Sequence, residues 1–327
     1  SMAHILGYVS SASEKEAKND DDPLLQVPEF KIGKAGIEKL FEKELRGKGG
    51  SLKLEVNAYG RIMKEIERIE GVAGKPLYLT IDSRLQQKAF EAFGEQSGAA
   101  VVLDVNTGEV LAFVSAPSYN PNAMSEGLSS KDWKALLNNE RNPLSNKAIA
   151  GQYSPGSTFK TIVALAALES GIIKPETRFF CTGQMFLGNH AFHCWRRHGH
   201  GHLNIVEALM HSCDIFFYET AQRIGIERIA EMSRRFGLGQ KTNIGLENEK
   251  SGLIPDKAWK LKRFGEPWQQ GETVISGIGQ GYILTTPLQL ATMVARIANG
   301  GYEVKPTFTK VTDKSAIKKI NISTEYI

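Results

Sequence analysis

The sequence predicts an α+β protein in which an antiparallel sheet is covered by helices, preceded by a small α+β module. Three observations carry that reading. Residues 99–105 and 110–114 are nearly continuous in apolar side chains and flank an Asn106-Thr107-Gly108 turn, the pattern of a central hairpin. Residues 158–169, 203–212, 215–223, 226–236 and 287–298 repeat apolar positions at helical spacing. Between the parts, residues 71–75 carry two glycines and are followed by Pro76, which marks a boundary and sets residues 1–72 apart from 73–327.

Taken in order, residues 11–24 are polar and read as an exposed loop through Asn19-Asp20-Asp21-Asp22-Pro23. Ile37, Leu40, Phe41 and Leu45 form one helical stripe, stopped by Gly47, Gly49 and Gly50. Leu52, Leu54 and Val56 alternate with polar residues ahead of Asn57-Ala58-Tyr59-Gly60, so a hairpin returning through Arg61 to Ile69 is expected. Leu77 to Ile81 reads as a strand, and Asp82 or Ser83 caps a helix bearing Leu85, Ala89, Phe90 and Phe93. Thr286 and Pro287 stand at the cap and first-turn positions of the last helix. The stretch from Trp259 to Trp268 reads as amphipathic surface packing.

Composition excludes several classes. With 327 residues, 41% hydrophobic and 23% charged, the chain is neither disordered nor collagen-like. Its 40 basic and 36 acidic side chains are interspersed, giving a net charge of +4 with no long single-sign block, which leaves nucleic-acid binding unsupported rather than excluded. No run approaches the roughly eighteen apolar residues of a membrane helix, and the N-terminus lacks the regions of a secretory signal. Ser1-Met2-Ala3 reads as the remnant of a cleaved tag, so any membrane anchor is expected to be absent from this chain.

The chemistry-bearing segment is Tyr153-Ser154-Pro155-Gly156-Ser157-Thr158-Phe159-Lys160. Pro155 and Gly156 mark a turn into a helix, which puts Ser157 in the first turn, where free N–H groups and the macrodipole favour developing negative charge. Lys160 is one turn on, so its amine is expected over the Ser157 hydroxyl as the acceptor of its proton. Alone, such a pair is a capping serine beside a surface lysine. Downstream, Ser212-Cys213-Asp214 lies between two helices, its hydroxyl placed to relay a proton and its carboxylate to orient the lysine. Ser-x-x-Lys followed by such an element and by Lys-Thr-Gly is the signature of penicillin-binding proteins and class A β-lactamases.

Beyond these motifs, Gly7-Tyr8-Val9-Ser10, Ala116-Pro117-Ser118-Tyr119-Asn120-Pro121, His200-Gly201-His202-Leu203-Asn204, Ser251-Gly252-Leu253-Ile254-Pro255 and Gly277-Ile278-Gly279-Gln280-Gly281-Tyr282 resemble the class B penicillin-binding proteins of cell elongation. The resemblance covers nearly the whole chain. It implies the penicillin-binding, serine β-lactamase-like fold, with residues 1–72 in the pedestal or dimerisation domain and 73–327 in the transpeptidase domain. It implies a D,D-transpeptidase of peptidoglycan stem peptides at the periplasmic face of the inner membrane, working without a catalytic cofactor and acylated by β-lactams at Ser157. Lys160, Ser212 and Asp214 are the other catalytic residues, and a glycan polymerase and a scaffold protein of the elongation machinery are the implied partners. A β-lactam sensor and a serine β-lactamase are the alternative readings.

The third motif is where the sequence departs from the family. It is expected several tens of residues after Gly277–Tyr282, yet the sequence reaches Ile327 without it, so acylation of this chain is expected to be weak. Lys250-Ser251-Gly252 matches its letters but precedes the glycine-rich segment, and Lys314-Ser315-Ala316 lacks the glycine. Gly277, Gly279 and Gly281 lack the spacing of a dinucleotide fingerprint and read as a structural loop.

Six of the seven histidines fall between His190 and His211, a span that holds Cys194 and lies between Cys181 and Cys213. Cys181, Cys194, His200 and Cys213 are four side chains of the types that close a tetrahedral structural zinc site, with His202 the substitute should His200 point away. A disulfide between two of the three cysteines, or three free thiols, are the alternatives. The family resemblance favours zinc, because its members use acidic, histidine and cysteine residues at these positions. A metal there would fix Ser212-Cys213-Asp214 from behind.

Overall fold

A computed structural model describes every residue, Ser1–Ile327, in two compact units. One unit comprises Ser1–Gly98, Phe113–Asn146 and Gly245–Glu247; the other comprises Ala99–Ala112, Lys147–Ile244 and Asn248–Ile327. Strands pair two by two in both.

In the first unit, Val9–Ser11 pairs antiparallel with Lys31–Gly33, and Ile5, Ile32 and Ile37 are buried. The stripe from Ile37 to Leu45, expected as one helix, forms two, Gly36–Leu40 and Glu42–Arg46, because Phe41 leaves helical dihedrals (φ −111°, ψ 24°). The second piece is held by polar rather than apolar contacts: the Arg46 guanidinium binds Glu42, Asp20 and Asp22 at 2.6–3.1 Å. The hairpin of Ser51–Val56 and Ile62–Ile69 forms around Asn57, whose Oδ1 accepts from the Tyr59 and Arg61 amides. Residues 77–81 make no strand; Leu79 forms a bridge, and a short apolar run does not by its pattern fix a strand. Asp82 caps Ser83–Glu91 by accepting from Arg84 and Leu85 amides. Gln86 on that helix is fully buried and exchanges two hydrogen bonds with the Phe113 backbone, at 3.0 and 2.7 Å.

The second unit is built around Lys160–Glu169, a helix whose residues Ile162 to Ala167 are all buried. A helix apolar on every side must be enclosed on every side. Asp214–Ile224 and Ile226–Arg235 pack against it, and Gln270–Ser276 packs on the outer side of Asp214–Ile224. Phe159, Phe216, Phe217 and Phe236 are among the largest fully buried side chains of this core. Ile205–Met210 begins at Asn204 with a capping box to Glu207. The periodicity of residues 226–236 and 287–298 matches Ile226–Arg235 and Pro287–Ala298, and that of 203–212 matches a shorter Ile205–Met210. Trp259, Phe264 and Tyr282, the last residue of the glycine-rich loop, form a ring cluster, with Trp268 at its margin.

Pro287–Ala298 is tied to this unit by its own cap. Thr286 accepts from the Gln289 amide, and the Gln289 side chain accepts from Thr286 N–H while donating to the carbonyls of Gln240 and Ser251 at 2.7 and 2.8 Å. Gln289 is fully buried, so each of these groups depends on it. Gln289→Leu is expected to lower unfolding free energy by roughly 2 kcal/mol, from the buried Thr286 N–H left unpaired and two part-buried carbonyls that lose their donor. Urea denaturation of the variant, with m unchanged, measures it; a loss below about 0.5 kcal/mol contradicts it.

Candidate active site

Pro155 and Gly156 (φ 58°) turn the chain into a 3-10 turn, Gly156–Phe159, which runs directly into the helix Lys160–Glu169. The turn places Ser157 at the exposed start and Lys160, 1% exposed, beneath it. Thr158 Oγ1 donates to the Pro155 carbonyl at 2.8 Å and fixes the entry. The glycine-rich loop buttresses the turn: Gly156 N–H donates to the Gly279 carbonyl at 3.0 Å. A Cβ on Gly279 would stand 2.4 Å from Gly156 O and 2.7 Å from Phe159 Cβ, and φ is 70° there, so only glycine lets the loop approach.

Ser212 connects Ile205–Met210 to Asp214–Ile224 in a left-handed conformation, φ 49°, unusual for a residue with a side chain. The conformation aims its hydroxyl at Ser157, with Ser212 Oγ to Ser157 Oγ at 2.9 Å. Lys160 Nζ donates to Ser212 O at 2.9 Å, Ser212 Oγ at 3.0 Å and Asp214 Oδ1 at 2.6 Å. The lysine therefore does not lie on Ser157 as expected; it reaches it through Ser212. The reason is electrostatic. A buried ammonium needs three acceptors and an opposite charge, and Ser157 offers one neutral oxygen. Asp214 opens a helix, where the macrodipole stabilises its charge, and its second oxygen accepts from the Trp195 amide at 3.0 Å.

Behind Ser212 and Asp214 lie Cys181, Cys194, His200 and Cys213, whose ligand atoms are all within 4.8 Å of one another. Phe179–Cys181 pairs with Gly201–Leu203, and Cys194 N–H bonds the Gly183 carbonyl at 2.9 Å, which gathers the four from distant positions. Gly199 (φ 73°) crosses Cys181 so closely that a Cβ would be 2.0 Å from its carbonyl oxygen. All three cysteines are free, with no disulfide. His200 Nδ1 is 3.6 Å from both Cys181 Sγ and Cys194 Sγ. Two ligands at tetrahedral angles about one zinc ion, at sulfur and nitrogen bond lengths, stand roughly 3.6 Å apart, so the donor set fits that metal. Burial, then the charge of Arg196, lowers the His200 pKa and favours the neutral imidazole that binds metal. Burial raises that of the Cys213 thiol, so an anionic sulfur there needs a cation. His202 pairs with Phe180 on the strand and stays outside the cluster.

Lys250-Ser251-Gly252 has a structural part: Lys250 N–H bonds Ile149 O, and Ser251 O accepts from Gln289. Trp195 is the residue that sequence reasoning missed. It contacts the second motif through a backbone amide and an indole N–H, and no spacing rule points to it. Gly279→Ala is expected to cost roughly 2–4 kcal/mol, combining left-handed strain with overpacking against the Ser157 turn. Thermal unfolding tests it, and an unchanged Tm would show that the loop does not bear on the turn.

Comparison with known proteins covers both units. The penicillin binding protein transpeptidase domain matches residues 98–327, and the penicillin-binding protein dimerisation domain matches residues 1–79. The peptidoglycan D,D-transpeptidase MrdA of Escherichia coli K12 is 41% identical over 305 residues, 92% of this chain and 48% of the relative. The chain thus spans about half the length of the curated relatives it matches. The penicillin-binding protein of the Helicobacter pylori PBP2–MreC complex superposes with a TM-score of 0.92 at 36% identity, covering 99% of this chain and 60% of that one. A structure described as structural coordination of polymerization and crosslinking by a peptidoglycan synthase complex matches with a TM-score of 0.85 at 33% identity, covering 99% and 59%. A match of this extent, over a range that holds Ser157, Lys160, Ser212 and Asp214, makes the chain a member of the penicillin-binding protein transpeptidase family.

Proposed function

We propose that this protein is a peptidoglycan D,D-transpeptidase that cross-links stem peptides during cell elongation through an acyl-enzyme at Ser157. The observation that carries the reading is the continuous path Ser157–Ser212–Lys160, with links of 2.9 and 3.0 Å. When Lys160 holds a lone pair, Ser212 gives it a proton and takes one from Ser157. The Ser157 oxygen then attacks the carbonyl carbon of the penultimate D-alanine. The oxyanion forms at the start of the 3-10 turn, where the Ser157 N–H and the local dipole face it. Collapse breaks the peptide bond, and the departing terminal D-alanine nitrogen takes the proton back along the same path. An amine of a neighbouring stem peptide then attacks the ester and surrenders its proton to the relay, which regenerates Ser157. A β-lactam follows the first half, but its leaving nitrogen stays tethered.

Residues 1–72 serve in this reading as the pedestal. The complexes in which the structural relatives occur, one with MreC and one that coordinates polymerization and crosslinking, support a scaffold protein and a glycan polymerase as partners; the periplasmic face of the inner membrane is what the family resemblance implies. No helix of this chain is long and apolar enough to cross a membrane.

Cys181, Cys194, His200 and Cys213 would hold a structural zinc ion, which supplies a fixed anchor for the loop bearing Ser212 and Asp214 and no step of the reaction. Gently purified protein is expected to carry close to one zinc per chain by mass spectrometry, and Cys181→Ser to lower both that content and Tm. Less than about a tenth of an equivalent would remove the metal from this reading.

The function is tested with a fluorescent penicillin on this chain and on a form running the full length of its relatives, with adduct mapping. Label on Ser157, lost in Ser157→Ala, is the expected result. A folded full-length form that takes up no label would reduce the pair to a helix cap beside a buried lysine.

A further inference from the structure

We propose that Trp195 is a positioning residue of the relay, acting through Ser212; the inference rests on the acyl-transfer reading of Ser157. Ser212 sits at a strained backbone position, φ 49°, and something must hold its peptide there. Two donors grip its carbonyl oxygen: Lys160 Nζ at 2.9 Å and the indole Nε1 of Trp195 at 3.1 Å. The same indole N–H is shared with the His211 carbonyl, also at 3.1 Å, so it clasps both peptides that lead into the motif. The Trp195 amide meanwhile fixes Asp214 Oδ2 at 3.0 Å, opposite the oxygen that Lys160 binds. One residue thus touches, on the far side, both groups that Lys160 touches on the near side.

Within the residues described, packing does not account for its place. Trp195 is 64% exposed, and its recorded ring contact is an edge-on one with His200 at 5.3 Å. An indole that leaves most of its surface in water gains little from burial, so its polar contacts set its position. With the indole donor gone, the Ser212 carbonyl keeps only the lysine, the left-handed turn is free to relax, and the Ser212 hydroxyl moves off Ser157. The effect falls on proton transfer, not on the groups that meet the ligand.

The test uses the full-length form and resolves penicillin acylation into its binding constant, Ks, and its acylation rate constant, k2. Trp195→Phe removes the donor and keeps a ring. Replacing Trp195 with 3-benzothienylalanine keeps the bicyclic shape and changes only N–H to sulfur. Both are expected to lower k2 about five- to tenfold, as for one hydrogen bond, with Ks unchanged and metal content equal to that of the unsubstituted protein. A benzothienylalanine form that keeps the original k2 overturns the proposal, even if the phenylalanine variant fails to fold, because shape alone then suffices. A rise in Ks at constant k2 also overturns it, since Trp195 would then touch the ligand. Absence of label on the unsubstituted protein is seen before any substitution and would sink the acyl-transfer reading itself.

Discussion

The burial of the Lys160 charge is the constraint on which the rest of the site depends. A side chain 1% exposed and ionised is tolerable only with an opposite charge and a full set of acceptors, and removing one partner of such a pair typically costs about 3–5 kcal/mol. The fold meets the demand with Asp214 and with both oxygens of Ser212. Each acceptor then constrains something else. Asp214 must open a helix, Ser212 must take a left-handed turn, and the segment bearing Trp195 must come close enough to saturate Asp214. Ser157 sits on the solvent side of this arrangement and connects to the lysine through Ser212.

The cysteine and histidine cluster belongs to the same economy of position. Cys213 is flanked by the two residues that accept hydrogen bonds from Lys160, and Cys194 precedes the residue that holds Asp214 from behind. The loop carrying the second motif is short of regular secondary structure, so it needs fixing by other means. Four soft or borderline donors converging within 4.8 Å offer a cross-link of that kind without a disulfide.

Much of this was legible in the sequence, for stated reasons. Helices with strong periodicity and explicit caps, such as Pro287–Ala298 behind Thr286, follow from local chemistry. The Ser157 and Lys160 spacing and the order of the second motif point to nucleophile and base because helix geometry fixes one turn. The indirect path through Ser212 was not legible, because it arises from the acceptor requirement of a buried ammonium, which depends on tertiary burial. Phe41 breaks an otherwise regular stripe, and residues 77–81 form one bridge at Leu79 instead of a strand; both depend on neighbours that periodicity does not see. Trp195 was invisible for the same reason: its role lies in which carbonyls its N–H meets.

The contact between Gly156 and Gly279 has a consequence for biosynthesis. The two positions are 123 residues apart (279 − 156), yet the first turn of the nucleophile helix takes its shape against the second. Local helix propensity alone cannot complete the site, because loop closure over that distance must come first. During translation the chain emerging from the ribosome carries Ser157 and Lys160 long before it carries the loop that supports them. The turn that bears Ser157 therefore lacks this contact in the nascent chain until Gly279 has been made.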